Sequence, residues 1–394
     1  MIFKLGELFS GPGGIGLASK NAQIRTKSGK YAIEHVWATD YDKDSCRTFR
    51  ENICPDKLHT VICKDIRKLD FSLLKEISEI DALAFGFPCN DFSMVGERRG
   101  IDGVFGPLYS YGVRALEYFK PKWFLAENVG GLKNANQGKA FGLILNELFN
   151  AGYSIYPHLY KFNEYGVPQT RQRIIIVGIR SDIEVLFRIP SPAKFRDVDI
   201  SCRNAIENPP IESNSANHEL TKQSEQVVKR LKHIKPGQNA FTANLPADLQ
   251  LNIIGAKISQ IYKRLDPLKP AYTITGSGGG GTHVYHWKEN RALTNRERAR
   301  LQTFPDDFVF HGSKESVRKQ IGMAVPPRGM KIILTSLLKA FAGLEYPYIE
   351  PNISPMMHEP QLFHYEAVYA KQLAFFEKKV NRYKAKRGKY DIKR

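Results

Sequence analysis

The feature that most constrains the fold is a regular alternation of short apolar runs with amphipathic stretches over residues 2–179. The apolar runs predict strands at residues 2–9, 32–39, 61–66, 82–87, 123–127 and 173–179, with helices from residue 15, at 107–119 and at 141–151. Strand–helix units of this length favour a mostly parallel α/β sheet with helices on both faces. Because the carboxyl ends of parallel strands share one edge, where ligands bind, polar residues that follow these runs are candidates for a functional site.

The pattern changes near the Pro-Ser-Pro sequence at residues 190–192. From there to about residue 269 the chain is polar and its periodicity is weak, which indicates a separate module. Helical pattern returns at residues 293–304, 317–322 and 331–344. These changes predict a catalytic and cofactor-binding domain at residues 1–188 and a second, smaller domain with a hinge at 189–316. They also predict a return segment at 317–345 that completes the first domain, and a basic C-terminal extension at 346–394.

Composition narrows the choice of partner. The net charge of +18 favours a polyanion such as nucleic acid. We expect no membrane partner, because no apolar run approaches the roughly 18 to 20 residues of a membrane helix and the start has no signal-peptide pattern. An odd and scattered set of cysteines favours reduced thiols in the cytoplasm: Cys46, Cys54, Cys63, Cys89 and Cys202.

A glycine-rich turn directly follows the first predicted strand. Gly11, Gly13 and Gly16 fit the spacing G-x-G-x-x-G, which lets the backbone turn tightly and approach a ligand closely. Asp40 follows the next strand, where a carboxylate can bind ribose hydroxyls, and Asp65 ends the third, where it can accept from an adenine amino group. A dinucleotide fits this turn and so does S-adenosylmethionine, and a tight turn without a ligand is the alternative.

Three further groups lie at predicted strand ends. Cys89 follows the fourth strand, and Pro88 restricts its loop, which suits a positioned nucleophile. Glu127 ends the fifth strand, where a partly buried carboxyl can retain a proton and donate it. Arg171 and Arg173 point to one face and can hold a phosphate, a carboxylate or a base carbonyl. The alternatives are a buried structural thiol, a helix-capping carboxylate and a pair of surface charges.

Together these groups suggest one reaction. A thiolate that adds to C6 of cytosine breaks the aromaticity of the ring and makes C5 nucleophilic. A carboxylic acid at N3 stabilises the adduct, and C5 then attacks the methyl group of a sulfonium. A base removes the C5 proton and the thiolate leaves. Positive charge from neighbouring arginines favours the thiolate form of a cysteine.

With these residues the chain resembles the cytosine-C5 DNA methyltransferases of bacterial restriction-modification systems. Six motifs occur in the family's order, at residues 7–14 (ELFSGPGG), 86–89 (GFPC), 127–129 (ENV), 169–173 (QTRQR), 296–305 (RERARLQTFP) and 320–327 (QIGMAVPP). The resemblance implies a Rossmann-like S-adenosylmethionine-dependent methyltransferase sheet with a second, smaller, irregular target-recognition domain. It also implies DNA in the cleft between the domains and a target base swung out of the duplex, without which a thiol cannot reach C6.

The resemblance also implies residue roles. Cys89 is expected to be the nucleophile, Glu127 to act at N3 and the exocyclic amine, Arg173 to hold the cytosine carbonyl, and Arg171 to lie near the thiol. The expected cofactor-binding residues are Phe9, Gly11, Gly13, Gly14, Asp40, Tyr41, Asp65, Ile66, Pro88, Leu108 and Val325.

Two positions depart from the family's commonest pattern. Asn90 stands where glutamine usually follows the cysteine, and Met323 stands where asparagine is common. The shorter amide is expected to alter contacts to DNA beside the flipped base, and Met323 cannot donate to the carboxylate of the cofactor.

In the family, the region from about residue 190 to 272 recognises the target. Its basic residues offer phosphate contacts, although a solvated helix face is the alternative. The expected DNA-binding residues are Asn90, Ser93, Lys229, Arg230, Lys232, Gly278 and Gly279. The segment 371–394 carries ten lysines or arginines against two acids and predicts an amphipathic helix, bound either to DNA or to the core.

The sequence therefore predicts a monomeric, cytoplasmic DNA (cytosine-5-)-methyltransferase of bacterial or phage origin, without a metal. Its expected partners are double-stranded DNA and a cognate restriction endonuclease. One alternative is a tRNA cytosine methyltransferase, although the Cys-Phe-Thr signature of that group is absent. A nicotinamide oxidoreductase would account for the glycine turn alone, and a catalytically inactive DNA-binding relative is the third alternative.

Overall fold

An eight-stranded sheet organises the residues that the computed structural model describes, which are 1–87, 108–251, 259–276 and 280–358. The strand order is β2-β3-β1-β5-β6-β8-β7, and β4 pairs with the carboxyl end of β3, beyond the residues that pair with β2. The strands are β1 Ile2–Leu8, β2 Gln23–Thr26, β3 Gly29–Asp40, β4 Val61–Cys63, β5 Ala82–Gly86, β6 Trp123–Val129, β7 Tyr153–Lys161 and β8 Gln172–Arg180.

Five of these strands, β1 and β3 to β6, run parallel, as the sequence predicts. Strands β2, β7 and β8 pair antiparallel to their neighbours. The sequence pattern did not predict β2 or β7. Strand β2 is half exposed and polar, and β7 contains Pro157 in its middle, so neither shows the alternation that marks a strand. The predicted strand at residues 61–66 ends early, at Cys63.

Helices cover both faces of the sheet, and each face has its own apolar cluster. On one face Leu74, Leu116 and Ile144 contribute from three successive helices. On the other face Ile15 packs with Leu334 of the last helix, which returns to the first domain from far along the chain. These helices are α1 Gly14–Lys20, α2 Lys43–Ile53, α3 Phe71–Ile77, α4 Leu108–Phe119, α5 Lys139–Asn150 and α10 Pro327–Phe341.

The segment between β8 and α10 forms two further apolar clusters. One surrounds Ile274 and the other surrounds Tyr285. The helices here are α6 Cys202–Glu207, α7 Glu225–Lys232, α8 Asn295–Leu301 and α9 Lys314–Met323. Helix α8 begins with a capping box between Thr294 and Glu297, and it ends three residues before the predicted residue 304.

The chain beyond α10 packs back on the first domain. A short strand, β10 Tyr348–Ile349, pairs with β9 Ile189–Pro190, and the ring of His358 stacks on Phe149 at 3.9 Å between centroids. The predicted basic helix at residues 371–394 lies outside the described residues. The described helices include none long and apolar enough to cross a membrane.

Candidate active site

The glycine turn after β1 is held by the carboxylate of Asp40 at the end of β3. The amide of Gly11 donates to Asp40 Oδ2 at 2.8 Å, and the amide of Asp42 donates to Asp40 Oδ1 at 2.9 Å. Gly11 and Gly13 have φ angles of 55° and 104°, in the region that favours glycine. Burial raises the pKa of Asp40. Each oxygen of Asp40 keeps a lone pair with which to accept from a ligand hydroxyl.

The return segment closes on this turn at Gly14. A Cβ built on Gly14 would lie 2.4 Å from the carbonyl oxygen of Val325, so the two main chains are in direct contact. Residues that are 311 positions apart in the sequence therefore line one place. This contact joins the two predicted parts of the first domain at the candidate cofactor site.

A side chain at Gly14 is expected to disturb this junction. Gly14→Ala forces its Cβ against a main-chain oxygen, and we expect the free energy of unfolding to fall by about 1–3 kcal/mol. The control is Gly142→Ala on α5, where nothing lies within 4 Å of the added Cβ. That change should raise the free energy of unfolding by about 0.5–1 kcal/mol, since alanine favours a helix. Denaturant unfolding of both variants tests the contact, and equal stabilities would contradict it.

The remaining expected cofactor residues of the described chain surround the same strand ends. Phe9 is half-buried, Ile66 and Leu108 are buried, and Tyr41 is 64% exposed, with Lys319 Nζ 6.0 Å from the centre of its ring. Asp65 does not end a strand, contrary to the prediction. It caps the 3₁₀ turn Ile66–Lys68, and its carboxylate accepts from Arg67, which lowers its pKa.

The chemistry of this cradle fits S-adenosylmethionine. The hydroxyl of Ser10 is buried and has no hydrogen-bond partner among the described residues. A Cβ on Gly11 would meet nothing within 4 Å, so open space adjoins the turn. A buried hydroxyl without a described partner, a doubly accepting carboxylate and an exposed ring match a ligand with hydroxyl, amino and aromatic groups. No described group of histidine, cysteine or acidic residues is arranged to hold a metal ion.

Glu127 and Arg173 meet where β6 ends and β8 begins. Arg173 Nε lies 2.7 Å from Glu127 Oε1, although its N–H is not aligned for a hydrogen bond. Both side chains are nearly buried, with 11% of Arg173 and 12% of Glu127 exposed. Two residues expected to act on the base therefore lie side by side, at the edge where the parallel strands end.

The same edge leads directly to the expected nucleophile. Glu127 Oε2 would lie 3.1 Å from a Cβ on Gly86, so the carboxylate borders the end of β5. The side-chain amide of Asn128 donates to the carbonyl of Phe87 at 3.1 Å. Phe87 is the last described residue before the loop that carries Cys89. A hydrogen bond thus connects the glutamate motif to the residue that precedes that loop.

Several expected residues lie outside the described part of the chain: Pro88, Cys89, Asn90, Ser93, Gly278 and Gly279. The cysteines that the structure does describe are free thiols. Burial raises the pKa of Cys46 and Cys54, and it raises the pKa of Cys202 to about 12. A thiol of that kind is a poor nucleophile at neutral pH.

The comparisons with known proteins agree with this arrangement. The family described as C-5 cytosine-specific DNA methylase matches residues 3–339. The chain belongs to this family. Type II methyltransferase M.BbvI of Brevibacillus brevis is 56% identical over 358 residues, which cover 89% of this chain and 94% of the relative. Type II methyltransferase M.NgoFVII of Neisseria gonorrhoeae is 39% identical, over 92% of this chain and 93% of the relative.

Solved structures confirm the fold. A DNA modification methyltransferase encoded within an E. coli prophage superposes with a TM-score of 0.66 at 22% identity, covering 86% of this chain and 99% of that one. The S. pombe Dnmt2 methyltransferase superposes with a TM-score of 0.56 at 18% identity, covering 87% and 100%. The protein is therefore a DNA (cytosine-5-)-methyltransferase with the predicted α/β methyltransferase fold.

In this methylase, Arg171 has partners that the sequence did not suggest. Its side chain is fully buried and donates to the carbonyls of Ile274 and Gly322, at 3.0 and 2.9 Å. Burial, and then the charge of Arg173, lower its pKa. Arg171 therefore joins the arginine motif to two later segments, and a role near the thiol stays a prediction. Met323 contributes its carbonyl at 3.5 Å while its side chain is 60% exposed.

The expected DNA-binding residues on α7 differ in environment. Lys229 and Lys232 are exposed. The guanidinium of Arg230 is instead engaged within the protein, because it donates to the carbonyl of Leu249 at 2.9 Å and to the hydroxyl of Tyr262 at 3.2 Å. The two lysines are therefore the residues of this set that remain available to phosphates.

Sequence reasoning missed several buried polar contacts of this methylase. Gln169 donates to Gln302 at 3.1 Å and accepts from the amide of Ile274 at 2.8 Å. Glu7 is buried beside His35 at 3.2 Å, and burial raises the pKa of Glu7. Glu7, Gln169 and Gln302 all lie within the quoted motifs, and this location is the one sequence feature that could have marked them as important.

Proposed function

We propose that this methyltransferase moves a methyl group from S-adenosylmethionine to carbon 5 of a cytosine flipped out of a specific duplex DNA sequence, through a covalent adduct between Cys89 and C6. The observation that supports this most directly is the Glu127–Arg173 pair at the end of β6. The carboxylate of Glu127 borders Gly86, and the side chain of the next residue, Asn128, donates to the carbonyl of Phe87, two residues before the cysteine. An acid, a cation and a thiol can thus address one pyrimidine ring.

The proposed steps assign one task to each residue. The Cys89 thiolate forms a bond to C6, and the electron pair of the C5–C6 double bond moves towards C5 and N3. Glu127 holds a proton at N3, and Arg173 donates to the ring carbonyl, so the negative charge of the adduct is stabilised. The methyl group that C5 receives comes from S-adenosylmethionine, whose sulfonium makes it electrophilic. Removal of the C5 proton then restores the double bond and expels the thiolate.

The proposed cofactor site is the cradle formed by β1, β3 and the return segment. Asp40 would accept from ribose hydroxyls, and the main chain at Gly11, Gly13 and Gly14 would face the ligand closely. Tyr41 would stack on the adenine. Asp65 would have to exchange one contact with Arg67 for the adenine amino group. Arg171, Phe9, Ile66, Leu108 and Val325 would position these groups, and Pro88 would restrict the loop.

The division of the chain at residues 188, 316 and 345 is also a proposal. It is supported by the separate clusters around Ile274 and Tyr285 and by the return of α10 to the first domain. We place target recognition in the second part, with phosphate contacts from Lys229 and Lys232. Asn90, Ser93, Gly278 and Gly279 remain proposed DNA contacts.

The named relatives suggest the biological setting. Two relatives at 56% and 39% identity are type II methyltransferases, which supports a modification enzyme with a cognate restriction endonuclease. We place the protein in the cytoplasm as a monomer, where both duplex DNA and S-adenosylmethionine occur.

One experiment tests activity and target together. Labelled S-adenosylmethionine is incubated with the full chain and mixed duplex DNA, and modified cytosines are mapped. Methylation confined to one sequence context is expected. Transfer to tRNA in preference to duplex DNA would overturn the proposed substrate, and binding of DNA without any transfer would identify an inactive relative.

A further inference from the structure

A cavity of about 280 Å³ lies apart from the Glu127–Arg173 pair, between α8, α9 and the chain that follows the glycine-rich segment 276–282. Its inner lining includes Arg298 of α8, Arg318 of α9 and His283. None of these residues has a role in the reaction described above.

Arg298 is a buried cation for which the described part of the chain supplies no partner. Only 3% of the residue is exposed, and its guanidinium forms no hydrogen bond or ion pair with any residue that the structure describes. Burial, and then the charge of Arg318, lower its pKa to about 10. Burial of a charge lowers the stability of a protein unless an opposite charge or hydrogen-bond acceptors compensate it, so this side chain favours binding of an anionic ligand.

The neighbouring arginines of the same helix show that this state is particular to Arg298. Arg296 donates to the carbonyls of Ala216, Pro305 and Phe308 at 2.8–3.0 Å. Arg300 forms an ion pair with Asp306. Both are satisfied within the protein, whereas Arg298 alone of the three faces the cavity.

The groups beside Arg298 in the cavity are also hydrogen-bond donors. Arg318 Nε is buried without a hydrogen-bond partner, and its nearest carboxylate, Glu315, is 3.9 Å away and 84% exposed. His283 Nδ1 is likewise buried and unpaired. Burial, and then the charges of the two arginines, lower the pKa of His283 to about 4, so it is a neutral donor. The acids Glu219 and Glu315 lie on the exposed rim.

The position of the cavity relates it to bound DNA. His283 follows the glycine-rich segment directly, and Gly276 at the other end of that segment packs on α9. A Cβ on Gly276 would lie 2.8 Å from the carbonyl of Lys319, one residue after Arg318. The cavity therefore adjoins both described ends of this segment, which contains two of the proposed DNA contacts, Gly278 and Gly279.

We propose that this cavity binds a phosphodiester group of the DNA backbone, with Arg298 and Arg318 donating to its oxygens and His283 as a third donor. This proposal rests on the duplex DNA substrate of the proposed function. A phosphate brings the charge and the several acceptors that two guanidinium groups require. Arg298 is a positioning residue here, because its contact sets the register of the DNA rather than the chemistry.

The test measures duplex DNA binding over a range of salt concentrations. Arg298→Met is expected to weaken binding roughly tenfold to hundredfold. The slope of log affinity against log salt should fall in magnitude by about one, the contribution of one phosphate. Arg298→Lys keeps the charge and should retain most of the slope. Arg318→Gln, at a half-buried position, should give a smaller loss of the same kind.

Stability separates this role from a structural one. Because Arg298 has no partner in the described chain, Arg298→Met should leave the midpoint of thermal unfolding unchanged or raise it. The control is Lys75→Gln, which removes an exposed charge on α3. Helix α3 precedes the amino end of β5, at the edge of the sheet opposite the strand ends that carry the candidate site. This control should change neither the salt slope nor the unfolding midpoint.

Two results would overturn the proposal. One is a salt slope that is unchanged in both Arg298→Met and Arg318→Gln. The other combines two findings: inorganic phosphate raises the unfolding midpoint of wild type but not of Arg298→Met, and the salt slope of DNA binding is the same in both. That result would assign the cavity to a free anion. Methyl transfer by wild type to the same duplex is measured in parallel. Loss of transfer alone refutes the proposed function, and an unchanged slope alone refutes this site.

Discussion

Replacement of Cys89 by alanine should abolish methyl transfer, with kcat lower by about 10⁴- to 10⁶-fold, while duplex DNA binding is retained. The reason is that cytosine C5 is not nucleophilic until a thiolate has added to C6, and no other group of the proposed site can form that bond. Single-turnover transfer of labelled methyl groups measures the loss, and filter binding at fixed salt measures DNA affinity.

The matched control is Cys202→Ala. Cys202 is also a free thiol, but it is fully buried and burial raises its pKa to about 12. This variant should transfer methyl groups at the wild-type rate and lose about 1 kcal/mol of stability through a small cavity. A duplex that contains 5-fluorocytosine should trap wild type and Cys202→Ala covalently, but not Cys89→Ala. Trapping of Cys89→Ala would mean that another residue is the nucleophile.

The second large effect is expected for Glu127→Gln, with kcat reduced by about 10²- to 10⁴-fold. Glutamine has nearly the same shape and can still donate a hydrogen bond, but it cannot deliver a proton to N3. Its loss of charge also leaves Arg173 without the carboxylate that lies 2.7 Å away. We expect kcat to fall far more than KM rises, because the proton at N3 matters most in the transition state.

Glu289→Gln is the control for loss of a carboxylate beside an arginine. Glu289 pairs with Arg291 at 2.8 Å and is 52% exposed, in the turn before α8. Its replacement should leave kcat within about threefold of wild type, since surface ion pairs contribute little. A Glu127→Gln enzyme with a wild-type kcat would refute the proposed proton transfer, whatever its DNA affinity.

Much of the first domain could be predicted from local pattern. Runs of five to eight residues predicted β1, β5 and β6 to within about two residues. Strands β5 and β6 are buried on both faces and read as nearly continuous apolar sequence. Motif order then led to the correct family and fold. The prediction failed where pattern is weak, at the polar β2 and at β7 with its internal proline.

Sequence alone determined the approximate ends of most strands, because backbone preference and alternation act over a few neighbours. It therefore identified Glu127, Asp40 and the glycine turn as candidates. Tertiary structure decided their partners, because contacts such as Arg171 to Gly322, 151 residues apart, arise only when distant segments pack. Arg296, Arg298 and Arg300 alternate along one short helix and read alike, yet packing satisfies two of them and leaves Arg298 facing a cavity.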